Sequence, residues 1–217
     1  MTEAGSAVDG RVARGNETRR LVLRRTVGIA SVEGLDALSI GRLATELKLS
    51  KSGVFALFGS KEELQLATVR AAARIYEETV VRPVLESVPA GVDRLWRLCG
   101  SWLEYSRGRV FPGGCFFYGV LAEYDAREGA VHDALARAQR SWVGLVERCA
   151  EEARDVGELR RDADVQQLAF ELIALMEMAN AQSVMHGEQD VYRRAEVGIA
   201  ARLGCLVTEP RLKPRIT

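Results

Sequence analysis

Three serines, Ser39, Ser50 and Ser60, each stand just before a helix-like apolar run, and Lys51 and Lys61 directly follow two of them. A hydroxyl in that position accepts from the first free backbone N–H groups of a helix, and a lysine beside those donors makes an end that can hold an anion. The chemistry on offer is recognition of phosphate rather than the breaking of bonds. His132 and His186 have no serine, cysteine or paired carboxylate at a catalytic spacing, and no Gly-rich phosphate loop occurs. Glu62-Glu63, Glu77-Glu78 and Glu151-Glu152 are adjacent pairs, whose carboxylates diverge on a helix and read as solvated faces. Cys99, Cys115, Cys149 and Cys205 are far apart and form no C-x-x-C, so reduced thiols are expected, with no metal site, disulfide framework or cofactor.

Charge is distributed to suit a polyanion at one end. Through Lys61 there are ten basic residues against six acidic ones, which leaves +4 there and −4 in the remainder of a chain of zero net charge. Solvated surface accounts for the same charges equally simply. A protein that packages nucleic acid without regard to sequence would be far more basic. At 217 residues, 47% hydrophobic and 28% charged, the chain has the make-up of an ordinary globular protein. No apolar run approaches the roughly 18 residues of a membrane span, and MTEAGSAVDG is not a leader-like start, so a cytoplasmic protein without membrane contact is expected.

The elements that must position these groups read as helices throughout, because glycines and prolines punctuate periodic segments and strand-like alternation is missing. An all-α fold is expected. Residues 1–15, polar and Gly-rich, form a loose arm in this reading. A first helix from about Glu17 to Val32 turns Val22, Leu23, Thr26, Val27 and Ala30 inward, with Gly34 just past its end. Ser39 caps a short helix with Ile40, Leu43, Ala44 and Leu47 inward, and Ser50 caps another, Lys51 to Phe58. Ser60 and Glu63 form a capping box for a fourth helix, Lys61 to Arg82, stopped by Pro83. Two short helices separated by Leu47-Lys48-Leu49 make a helix-turn-helix. Eight residues do not hold a helix alone, so Val54 and Phe58 must anchor the second one, leaving Lys51, Ser52, Gly53, Phe55, Ala56 and Leu57 outside or at the flanks. The small Ser52, Gly53 and Ala56 allow close approach to another surface, for which DNA is a fitting candidate. The alternative is a connector helix in a bundle, with Phe55 and Leu57 buried against a later helix.

The segment Val22 to Leu66, above all RLATELKLSKSGVFALFGSKEELQLATV, resembles the N-terminal domain of the tetracycline-repressor (TetR) family of transcriptional regulators. The likeness rests on E-G-L ending the first helix, S-I-x-x-L-A in the second, L-S-K-S-G-V-F in the third and the closing F-G-S-K-E-E-L. It implies a three-helix DNA-binding domain at 16–60, a ligand-binding and dimerisation domain at 61–207 and a tail at 208–217. It further implies a homodimer on a palindromic double-stranded DNA operator, acting as a regulator, most often a repressor released by a small molecule. Phosphate contacts are implied for Ser39, Lys51 and Lys61, with backbone N–H donors at Ser39 and Ser50. Where relatives often carry Tyr, this chain has Phe55, and where they carry a polar residue it has Leu57. Base reading is therefore expected from Ala56 or Leu57 against thymine methyls and from Arg42 against guanine. Lys48 stands where the family favours Gly, which calls for a positive φ or a shifted turn.

For the remaining two thirds, helices are expected at about 92–108, 115–125, 128–155, 164–185 and 190–207. The last two carry Leu168, Leu172, Leu175, Met176 and Ala179, then Ala195, Ile199, Arg202 and Leu203, a pattern that serves either a four-helix dimer interface or the protomer's own core. Aromatic density in the middle suggests a pocket for a small apolar or aromatic effector, with Trp96, Trp102, Tyr105, Phe111, Cys115, Phe116, Trp142 and Met176 as candidate lining. Cys115, after Gly113-Gly114, lies near a helix start that can lower a thiol pKa, although a buried inert thiol is the plainer expectation. A helical enzyme, or a ligand-binding protein with no DNA role, is the competing class.

Overall fold

The computed structural model describes the backbone of residues 3–210 and the side chains of residues 15–210. Helix α1 spans Glu3–Glu33, α2 Ile40–Glu46, α3 Lys51–Phe58 and α4 Lys61–Tyr76, which passes through a π-helical turn, Glu77–Val81, into α5, Arg82–Ser87. Then follow α6 (Val92–Arg107), α7 (Phe116–Tyr124), α8 (Ala130–Asp155), α9 (Val165–His186) and α10 (Asp190–Gly204). Among the described residues there is no strand, only one isolated bridge between Leu159 and Val207. The chain is all-α, as its periodicity requires. Residues 1–2, and all but the first three positions of the expected 208–217 tail, lie outside the described residues.

Two boundaries differ from the sequence expectation. Residues 3–15, read as a loose arm, continue α1. No proline interrupts the segment, and extending a formed helix needs no new nucleus. The long fourth helix does not stop at Pro83. Pro83 occupies the first turn of α5, where its missing N–H is not needed, and the wider π turn before it absorbs the break.

The N-terminal helices pack around Val22, Val27, Leu35, Leu38, Leu43, Val54, Phe58 and Leu64, all buried. The body packs around Leu95, Leu98, Trp102, Leu135, Leu168, Leu172, Ile199 and Leu203. Helices α1 and α4 join the two regions, since α1 packs on α4 and α7 while α4 and α7 both pack on α8. The stripe on α9 and α10 that suited either an interface or a core is interior: Leu168, Leu172, Met176, Ala179, Ala195, Ile199 and Leu203 are all buried in the protomer.

The loop before α7 is pressed between α1 and α9. Gly113 lies against the end of α1 so closely that a Cβ would come within 1.7 Å of the Ser31 carbonyl oxygen. Gly114 has φ +85°, and a Cβ there would meet Asn180 Oδ1 at 2.3 Å. That Asn180 oxygen accepts from the Cys115 backbone N–H (2.8 Å) and from Ser106 Oγ (2.8 Å). Arg109, itself at φ 51°, donates to the Ser183 carbonyl, Ser183 Oγ and Tyr192 Oη, closing a buried polar network around the loop.

Opposite signs are expected at two glycines. Gly113→Ala forces backbone apart and should cost about 1–3 kcal/mol or more. Gly100, inside α6 with open space around it, should gain roughly 0.5–1 kcal/mol on replacement by Ala. Urea unfolding of both variants measures the difference.

Candidate nucleic-acid interface and ligand cavity

Capping serines fix where both short helices begin. Ser39 Oγ accepts from the Arg42 N–H (3.1 Å), Ser50 Oγ from the Gly53 N–H (3.0 Å) and Ser60 Oγ from the Glu63 N–H (3.0 Å). Helix α3 is held from below by Val54 and Phe58 and from the side by Arg19. Arg19 donates to the Leu57 carbonyl (2.6 Å) and sits 4.6 Å over the Phe58 ring. Its outer face presents Lys51, Ser52, Gly53, Phe55 and Ala56 to solvent, with Phe55 54% exposed, while Leu57 is half-buried against the core. In the preceding turn Lys48 has φ 54°, the left-handed conformation its place in the turn called for.

The cations assigned to this face differ in how free they are. Lys51 makes no hydrogen bond or ion pair among the described residues. Arg42 is fully engaged. Its guanidinium bonds both Glu33 oxygens (2.7 Å each) and Glu46 (2.8 Å), and Arg25 also bonds Glu46 (2.6 Å). The hydrogen bonds from Arg42 hold the Glu33 and Glu46 carboxyls below their ordinary range. Contact of Arg42 with a guanine edge therefore requires this network to open. Lys61 donates to the Asp36 carbonyl (2.7 Å) and lies 3.7 Å from the Asp36 carboxylate.

Asp36 belongs to a polar seam between the N-terminal helices and the body. Glu123, near the end of α7, accepts from the backbone N–H groups of Leu35 (2.7 Å) and Asp36 (2.8 Å) in the turn after α1. Arg127 bonds the Asp36 carboxylate at 2.6 Å, and Tyr124 Oη lies 3.3 Å from it. Buried Gln65 on α4 donates to the Leu35 carbonyl (3.0 Å) and to Tyr124 Oη (3.0 Å).

A cavity of about 240 Å³ lies in the body, between the end of α4 with its π turn and helices α6, α7, α8 and α9. Of the residues read as lining from sequence, it gathers Trp102, Cys115 and Trp142. The other five lie away from it: Tyr105, Phe111, Phe116 and Met176 are buried in the surrounding core, and Trp96 is partly buried on α6. Phe117 and Tyr118, part of the same aromatic run, also line it, whereas sequence reasoning missed Tyr76, Glu77, Leu121 and Glu177. The signal for Glu177 was present, an acid set between Met176 and Met178 in an otherwise apolar run. Nothing in the sequence marked Tyr76, because its place is set by rings that α6, α7 and α8 bring to the end of α4. Tyr76 meets Trp142, Tyr105 and Phe117 edge to face, with centroids 5.4, 5.5 and 5.9 Å away. Burial pushes the Cys115 thiol up to about 11, which suits an inert thiol despite its place ahead of α7. His132 bonds Asp133 at the surface, His186 ends α9, and no group of metal-ligating side chains occurs among the described residues. No helix among the described residues is long and apolar enough to cross a membrane.

Two family models match the chain. One, described as bacterial regulatory proteins, tetR family, covers residues 22–68, and the other, described as tetracyclin repressor-like, C-terminal domain, covers residues 91–199. No curated protein matches. Among solved structures, a TetR transcriptional regulator from Chloroflexus aurantiacus superposes with TM-score 0.83 at 23% identity, over 90% of this chain and 98% of its own. A TetR-family regulator from Cytophaga hutchinsonii gives 0.79 at 21%, over 90% and 98%. AibR, solved with isovaleryl coenzyme A and operator DNA, gives 0.66 at 18%, over 87% and 97%.

The seam sets a titration. The Arg127 hydrogen bond, more than any other contact, holds the Asp36 carboxyl below its usual value. A carboxyl depressed by folding adds stability that is present above its unfolded value and is lost as pH falls through the folded one. Arg127→Ala should raise the Asp36 pKa toward that of an ordinary aspartate and shrink the acid-side loss of stability, as NMR titration and melting below pH 5 would show.

Proposed function

The chain belongs to the tetracycline-repressor family of bacterial regulatory proteins, DNA-binding transcriptional regulators, and we propose that it works as a cytoplasmic homodimeric repressor released from its operator by a small aromatic or apolar molecule. The observation that carries the DNA half is the outer face of α3. Val54 and Phe58 are spent on anchoring, and what remains outward is a lysine, small residues and one exposed aromatic ring. A helix so presented can enter a major groove with Ser52, Gly53 and Ala56 allowing close approach, and Phe55 and Ala56 meeting thymine methyls. Lys51, with the α2 and α3 N-termini at Ser39 and Ser50, supplies phosphate contacts that orient the helix without reading sequence. Lys61 contributes to the same backbone from its place over the Asp36 turn. Arg42 is the reserve reader of guanine once its carboxylate partners let go.

Dimerisation falls to the side of α9 that the protomer core leaves uncovered. Phe170, Met178 and Met185 are 68%, 56% and 76% exposed and recur at helical spacing along that helix, with Val197 exposed on the adjoining α10. An apolar row of this length is suited to a second copy of the chain, and a two-fold pair of α3 helices would require an inverted-repeat operator. Ligand control follows from what α4 and α7 connect. Each lines the cavity, α4 through Tyr76 and α7 through Phe117, Tyr118 and Leu121. Each also holds the DNA-binding turn, α4 through Lys61 and Gln65 and α7 through Glu123. A molecule that shifts either helix alters the spacing of the two recognition helices, and coupling of about 1–3 kcal/mol is the usual size of such an effect. That AibR was solved with both operator DNA and an acyl coenzyme A supports a fold that accommodates both partners. Among the described residues, the histidines and carboxylates form no arrangement that favours an enzyme.

Two measurements address the two halves. Lys51→Ala should weaken binding to the selected operator and to unrelated DNA alike and make the salt slope shallower by about one unit; an unchanged slope removes Lys51 from the interface. Met185→Asp, at the most exposed apolar position of α9, should convert a dimer of twice 23.9 kDa into monomer by ultracentrifugation and abolish tight operator binding.

A further inference from the structure

The cavity between α4 and α9 has a charge pattern that an apolar effector does not explain. Two carboxylates, Glu77 and Glu177, stand in its wall, and among the described residues no lysine, arginine or histidine does. The chain carries as many basic as acidic residues, so this one-sided lining does not follow from composition. Glu177 lies deeper than Glu77, half-buried beside Trp102, Cys115 and Trp142. Among the described residues it makes no hydrogen bond and no ion pair. The hydroxyl of Tyr76, fully buried in the same wall, likewise has no protein partner. An uncompensated carboxylate in an apolar wall must either take up a proton or find a cation, and burial alone already pushes the Glu177 carboxyl upward. Around it the rings of Tyr76, Trp102, Phe117, Tyr118 and Trp142 offer π systems that attract positive charge.

We propose that the cavity receives a small organic cation, an ammonium on an aromatic or apolar body, with Glu177 as its counter-ion and the surrounding rings as its walls. This deepens, and rests on, the assignment of the cavity as the effector site. The volume, about 240 Å³, limits the ligand to roughly one ring with a short chain. Glu177 is then a binding residue kept at some expense to the empty fold, since an unpaired charge is being held out of water.

Three probes of nearly equal shape separate charge from shape: 2-phenylethylammonium, 2-phenylethanol and phenylacetate. Calorimetry on the full-length protein should give the ammonium at least ten-fold tighter binding than the alcohol, with phenylacetate weakest. Glu177→Gln should reduce the preference for the ammonium to less than about two-fold, leave the alcohol unchanged and melt at or above the temperature of the parent protein. Equal binding of ammonium and alcohol, no binding of any probe at millimolar concentration, an ammonium affinity unmoved by Glu177→Gln, or a lowered melting temperature for that variant would each overturn the cation site. The regulatory assignment is read separately, by operator retardation with and without 2-phenylethylammonium. Binding that depends on Glu177 but leaves operator affinity unchanged would uphold the cation site and sink the ligand control.

Discussion

Two backbone N–H groups, those of Leu35 and Asp36, end on the carboxylate of Glu123, and the relation of the DNA-binding helices to the rest of the molecule depends on that clamp. Leu35 and Asp36 sit in the turn after α1; Glu123 satisfies the part-buried Leu35 donor and also holds the exposed Asp36 N–H. Because Glu123 rides at the end of α7, the turn leading into the short helices is tied to a helix of the cavity wall. Arg127, Lys61, Tyr124 and Gln65 then gather around Asp36, so the seam joins α1, α4 and α7 through hydrogen bonds to that one residue, from 2.6 Å for Arg127 to 3.3 Å for Tyr124 and Gln65. Such a seam can pass on a displacement of α7 where a merely apolar contact would slide.

The recognition helix illustrates how little burial suffices when its ends are satisfied. Eight residues fix their start with Ser50, their end with Gly59 and Arg19, and their position with two side chains, Val54 and Phe58. The rest of the surface is left for a partner. The neighbouring cations are sorted by their surroundings: Arg42 is locked between Glu33 and Glu46, Lys61 is tethered to the Asp36 turn, and Lys51 is unengaged. A formal count of positive charge overstates what is ready to meet a phosphate.

In the body, the helices that build the core border the cavity between α4, α6, α7, α8 and α9, and the π turn after α4 forms part of its wall. The wider turn adds a residue to the path from Tyr76 and Glu77 to Val81, and all three line one wall. The loop at Gly113-Gly114, just before Cys115 of the wall, packs between α1 and α9, where only residues without a side chain admit the Ser31 carbonyl and the Asn180 amide at the observed distances. Cavity and seam thus share α7 as a common wall, a few turns from end to end.

Local chemistry was legible from the sequence. Ser39, Ser50 and Ser60 cap the helices expected of them, Val54 and Phe58 turn inward, Lys48 takes a positive φ, and Val22, Leu23, Thr26, Val27 and Ala30 form the buried face of α1. These are contacts between residues a few positions apart, and the period of the helix dictates them. What the sequence did not carry was set by contacts across tens of residues. Whether Arg42 and Lys61 are free depends on Glu33 and Asp36 folding back beside them. Aromatic residues of similar type divide into wall and core, Trp142 and Phe117 on one side and Phe111 and Phe116 on the other, according to which helix packs behind them. The apolar stripes of α9 and α10 fill the protomer rather than an interface for the same reason: periodicity shows that a face is buried, and only the packed structure decides against what.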